Sequence, residues 1–129
     1  MIAPAMLLAV GAQSQADMNV QVDRAFHAAD AALNAQYRAT MAVAAKDDAG
    51  RVGDLKAGAA RPDGAPTYQA ALLASQRAWL AYRDAQCRVA GFAYRGGTMQ
   101  DMAEAQCATA LTRSRTDELT RLGRSLSGL

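Results

Sequence analysis

The chain has 129 residues, 14 Lys and Arg against 12 Asp and Glu, a net charge of +2, and a 51% hydrophobic composition in which much of the count is alanine. That length sets one domain, and the near balance of charge excludes the dense Lys/Arg stripe of a nucleic-acid-binding surface. With two Phe, four Tyr and one Trp the core must be thin, so a covalent staple would matter.

The amino-terminal stretch IAPAMLLAV is an uncharged apolar run, followed by GAQSQA with Ser14 three residues and Ala16 one residue before a potential cut. This pattern predicts a secretory signal peptide over residues 1–16 and a mature domain over 17–129. The run is too short to span a bilayer as a helix. No Lys or Arg precedes Arg24, so the competing reading is an apolar tail or a start site placed too late.

From Asn19 to Ala45 nothing breaks a helix. Val22, Phe26, Ala29, Leu33, Tyr37, Met41 and Ala44 recur at spacings of three and four, which predicts one buried stripe, with Asn19 as the N-cap. Residues 46–66 carry four Gly, two Pro and scattered charge, and read as a mobile linker with at most a turn of helix. A second helix is predicted from Pro66–Thr67 to about Ala90, closed by Gly91. After the turn FAYRGGT, Thr98 is the predicted N-cap of a third helix, with Asp101 at N3, running to Leu122. No strand alternation and no repeat occur. The fold class is all-α, a small antiparallel bundle of three helices.

Two cysteines without a CxxC argue against a zinc site or a thioredoxin-like redox motif. An even count in an exported small domain suggests one disulfide. Joining Cys87 to Cys107 would close a loop of about twenty residues, worth roughly 3 kcal/mol. The alternative is two buried thiols.

Asp30, Leu33, Asn34 and Tyr37 share one helix face, and so do Gln76, Leu80, Arg83 and Cys87. Both faces are partly apolar and must pack, so their polar members need partners. Asp30 is expected to pair with Arg83, with Asn34 and Gln76 completing the hydrogen bonds. Trp79 would cover the group, and Arg115 would add a second cation. A carboxylate–Arg catalytic site is the competing reading, but no nucleophile, base or metal ligand accompanies it. His27, the single histidine, lies near Asp23 at a helix edge and reads as a solvated surface residue. No catalytic residue, cofactor or metal site is assigned.

The order ADAALNAQY, SQRAWLAYRDAQC, GGT, a second Cys and TRSRTDEL resembles the LprI-type lysozyme inhibitor family over about residues 17–122. Asp30, Leu33, Asn34 and Tyr37 match its first motif. Gln76, Arg77, Trp79, Arg83, Asp84 and Cys87 match the second. Gly96, Gly97, Thr98, Cys107, Thr112, Arg115 and Leu119 match the rest. The resemblance implies an exported, periplasmic or secreted bacterial protein of helical fold that binds a protein partner and inhibits lysozyme. Relatives often carry a further Cys about nine residues before the motif Asp; here that position is Gln21. No lipobox Cys follows the apolar run. A lysozyme-type muramidase works with paired carboxylates in a cleft. The loop Tyr94, Arg95, Gly96, Gly97 and Thr98 is the expected contact, its cation approaching those carboxylates; the alternative is a plain interhelical turn. A periplasmic structural or stress-related helical protein with a different partner is the second functional reading. Nothing in the spacing sets an oligomeric state.

Overall fold

The computed structural model describes residues 14–128. Of the signal segment expected over residues 1–16, residues 1–13 lie outside the described residues.

The first helix, α1, spans Gln15–Ala57. It begins earlier than expected because Ser14, not Asn19, is the cap. Ser14 has an extended backbone, and its hydroxyl accepts from the Asp17 N–H at 3.1 Å. It also ends later. Gly58 takes the left-handed conformation, φ 74°, and its N–H returns to the carbonyls of the last turn. The linker expected over 46–66 is therefore helix as far as Ala57, and only residues 58–67 connect α1 to the next helix. Gly50 and Gly53 each weaken a helix by up to about 1 kcal/mol relative to Ala. Side chains on this stretch offset that cost by tying it to the returning chain. Arg51 Nη2 donates to the Arg61 carbonyl at 3.1 Å and lies 3.2 Å from Asp63 Oδ2. The Ala65 N–H and then Arg51 hold the Asp63 carboxyl below the usual carboxylate range.

Helix α2 spans Tyr68–Gly91. Its N-terminus is capped twice. The Thr67 hydroxyl accepts from the Ala70 N–H at 3.1 Å, while the Asp48 carboxylate on α1 accepts from Tyr68 and Gln69 at 2.8 and 3.1 Å. A carboxylate there meets the positive end of the helix dipole. Gln76, Arg83 and Cys87 of the predicted face are buried, joined by Leu72 and Gly91, while Leu80 is half-buried. A single 3-10 turn, Phe92–Tyr94, leads toward α3, Gln100–Leu126.

α1 and α3 run parallel, with α2 antiparallel to both. Asn19 lies beside Asp101, Thr40 beside Leu119, and Ala44 beside Leu126. The last turns of α1 thus project past the end of α3. Leu33, Leu72 and Leu119 form the core, with Tyr37, Met41 and Trp79 packed against it. Threonines fill much of the α1–α3 seam. Thr40 is fully buried and its hydroxyl donates to the Leu119 carbonyl at 3.0 Å. Gly123 faces it, and a Cβ there would come within 3.4 Å of Thr40 Oγ1. Replacing leucine by threonine lets helices approach closely, at the cost of apolar area.

Cys87 and Cys107 are bonded, with Cα atoms 5.4 Å apart, so the disulfide and not the pair of thiols is the state present. Replacing both by Ala is expected to lower the stability by about 3 kcal/mol. Urea unfolding of the parent and the double variant measures this directly, and coincident midpoints would contradict it.

Candidate functional site

Two groups of the sequence-predicted residues come together, at different places. The first is the polar layer between the helices. Arg83 on α2 is nearly buried. Its Nε donates to Asp84 at 3.0 Å, its Nη1 donates to the Thr112 hydroxyl at 3.4 Å, and Nη1 lies 3.8 Å from Asp30 Oδ1. Its guanidinium carbon is 5.4 Å from the ring centroids of both Phe26 and Trp79. Arg115 on α3 donates to Gln76 at 3.0 Å, Ser75 at 2.9 Å and Glu118 at 3.0 Å, and approaches Trp79 to 5.9 Å.

Trp79 thus stands between two guanidiniums, an arrangement favoured by the ring quadrupole. The single cluster expected around Asp30 is two clusters joined through an indole. Gln76 serves Arg115, not Arg83. Asn34 is exposed and donates only to Asp30, at 3.4 Å. The reason is that Asp30 and Asn34 sit at the border of the α1 stripe, whereas Leu33 is its buried centre. Tyr37 packs on the core, and its hydroxyl is buried without a partner. Both guanidiniums of the layer are engaged by neighbours on more than one side, and through them the layer ties α2 to α1 and α3. His27 and Asp23 form a solvated pair at 3.5 Å.

The second group is the turn between α2 and α3. Tyr94, Arg95, Gly96, Gly97 and Thr98 are all exposed. Arg95 does not extend freely: its guanidinium stacks 4.1 Å from the Phe92 ring centroid, and its N–H donates to the Phe92 carbonyl at 3.2 Å. Gly97 donates to the Tyr94 carbonyl at 2.9 Å, and Gly96 has a φ of 78°, which only glycine adopts without strain.

Thr98 is not the N-cap. The residue before α3 is Met99, already in the right-handed helical region, and no side chain caps the helix, whereas a capping hydroxyl needs an extended backbone. Gln100 takes over the bracing. Its side-chain carbonyl accepts from the Gly96 N–H at 3.1 Å, and its amide donates to Glu104 at 3.4 Å. Glu104 in turn packs over Gly91, where any Cβ would collide with it. Phe92, Gln100 and Glu104 were missed by the sequence reading. The four-residue spacing of the last two was the available signal.

A separate cleft lies elsewhere. It encloses about 590 Å³ between the projecting end of α1 and the 58–67 loop, with Arg51, Asp63, Pro66 and Tyr68 in its wall. Among the described residues no group of three or more His, Cys, Asp or Glu could hold a metal ion, and no helix is long and apolar enough to cross a membrane.

A disulfide-tied helical module, braced by paired guanidiniums and presenting a hydrogen-bonded turn, is the class that this geometry defines. The family model described as lysozyme inhibitor LprI matches residues 9–119, and the chain belongs to that family. An uncharacterized protein of Rhizobium meliloti (strain 1021) is 45% identical over 114 residues, covering 86% of this chain and 75% of the relative. No solved structure matches.

The geometry separates two substitutions. Arg83→Ala removes three polar contacts and two ring contacts from a nearly buried site, and is expected to cost about 3 kcal/mol. Asp30 is more open, its side chain 38% exposed, and Arg83 retains Asp84 and Thr112 without it. Asp30→Ala is therefore expected to cost no more than about 1 kcal/mol. Thermal unfolding of the two variants should show the larger loss for Arg83→Ala, and the reverse order would contradict this assignment.

Proposed function

We propose that this protein acts outside the cytoplasm as a binding module that blocks a lysozyme-type muramidase, and that the turn from Phe92 to Thr98 is the contacting surface. The observation that carries the reading is the stacked Arg95. A cation held 4.1 Å over an exposed ring, on a turn anchored near a disulfide, is set in place before a partner arrives. Preorganisation of this kind lowers the ordering cost of association. The disulfide fits an oxidising compartment, and family membership supplies the partner class.

Muramidase clefts hold paired carboxylates. A guanidinium entering such a cleft gains from the low dielectric of a closed interface. Phe92 and Tyr94, 40% and 50% exposed, would add apolar contact beside it. Net charge contributes little, since +2 does not steer the chain toward a basic enzyme. The discrimination must come from the turn itself.

Inhibition of cell-wall lysis by lysozymes of several types tests the reading. Arg95→Glu is expected to weaken inhibition at least tenfold, about 1.4 kcal/mol. Shortening the 58–67 loop should spare it. Equal inhibition by the Arg95→Glu protein would remove the turn from the contact. Absence of inhibition by the parent at micromolar concentration and low salt would favour another exported partner, for which the 590 Å³ cleft at the opposite end of α2 is the available surface.

A further inference from the structure

Gln100, Glu104 and Cys107 stand on one face of α3, at spacings of four and three. Each grips the chain that arrives from α2. Cys107 is bonded to Cys87. Glu104 lies over Gly91, four residues beyond Cys87, and fills space that a Cβ on Gly91 would take. Gln100 reaches the turn itself, its Oε1 accepting from the Gly96 N–H at 3.1 Å. The upper two rungs are linked, because the Gln100 amide donates to Glu104 Oε1 at 3.4 Å. This ladder passes from covalent bond through close packing to hydrogen bond as it nears Arg95.

Gln100 and Glu104 lie outside the turn and are half-buried, whereas residues 92–98 are exposed. The ladder holds the turn on both sides of Arg95. Gly91 directly precedes Phe92, whose ring carries the Arg95 guanidinium. Gly96 directly follows Arg95 and is left-handed, so the direction of its N–H sets how the chain leaves Arg95 for α3. Helix α3 starts without a side-chain cap. The side chain of its first residue, Gln100, is spent on the turn and not on the free N–H groups of its own helix.

We propose that Gln100 and Glu104 are positioning residues for Arg95, and that residue 91 is glycine so that Glu104 can steady Gln100. The functional part of this proposal rests on the reading of the turn as the contacting surface. A loosened turn must be ordered again when a partner binds, which weakens association without removing a contact. Residues that never touch the partner then govern its affinity.

NMR of the free protein tests the ladder without a partner. Its readouts are amide exchange at Gly96 and the ring-current shift that Phe92 imposes on the Arg95 side chain. Gln100→Leu removes the acceptor, and is expected to speed Gly96 exchange at least about fivefold, the scale of one hydrogen bond, and to shrink the ring-current shift. Glu104→Ala should act in the same direction and less strongly. Glu104→Gln keeps a carbonyl acceptor and should restore the parent's values. Gly91→Ala should behave as Glu104→Ala does, and the Gly91→Ala/Glu104→Ala double variant should be no worse than Glu104→Ala alone. Thermal unfolding of each variant should stay near the parent, since Leu and Ala are good helix formers. Binding to a c-type lysozyme should then weaken at least about threefold for Gln100→Leu and remain at the parent's level for Glu104→Gln. Unchanged Gly96 exchange in Gln100→Leu, or additive effects of Gly91→Ala and Glu104→Ala, would overturn the ladder. A Gln100→Leu protein with fast Gly96 exchange and undiminished lysozyme binding would overturn the positioning role. A parent that binds no lysozyme would end the inhibitory reading, and the NMR pattern would still decide whether the ladder sets the turn.

Discussion

The bond between Cys87 and Cys107 fixes how far α2 may slide along α3, and most of the polar geometry follows from that one restraint. An alanine-rich interface offers few deep pockets, so neighbouring registers differ little in buried area. With the two sulfurs joined, Arg83 falls opposite Thr112, and Gln76 falls opposite Arg115. At the other side of the bond, Gly91 arrives under Glu104, which sets the exit angle of the 3-10 turn. A shift of one helical turn would break the Arg83–Thr112 and Gln76–Arg115 hydrogen bonds together. Covalent and ionic restraints thus agree on one register, and each makes the other's alternative costly.

The threonine seam between α1 and α3 solves a related problem. Thr40 and Thr112 are fully buried, yet neither lacks a partner. Thr40 reaches across to a carbonyl of α3 that its own helix also uses, and so links two helices at the cost of no orphan group. Small polar residues here permit the close approach that Gly123 completes. The resulting core is narrow, with leucines at its centre and aromatic or methionine side chains only half covered.

The three helices, the cysteine pairing and the inward faces of α1 and α2 were legible in the sequence, because their signal is periodic and long. The errors lie where one local cue outweighed a tertiary contact. Gly50 and Gly53 argued for a linker, but Asp48 and Arg51 bind the returning chain and keep the helix whole. Thr98 carried the right side chain for a cap and the wrong backbone around it. Asp30 and Arg83 were rightly brought together, but the division of labour between Gln76 and Asn34 was not visible. Periodicity says which face a residue occupies; it does not say which of two arginines a glutamine on that face will meet. Phe92 stood next to Arg95 in the sequence only through a turn whose shape no spacing specifies.

The projecting end of α1 has a thermodynamic consequence. Beyond Ala44 the helix no longer has α3 beside it, and past Asp48 the 58–67 loop is its main companion. The contacts there combine the hydrogen bonds of Asp48 and Arg51 with Val52, Leu55, Pro62 and Pro66 around a cleft open to water. With no third helix beside them, residues 49–67 are expected to open locally at lower cost than the disulfide-tied body. Backbone amides in that unit would exchange with solvent by a route that leaves the threonine seam closed. Two levels of rigidity are the expected consequence: a body whose melting requires the whole core to open, and a helix-and-loop end that can open while the rest stays folded.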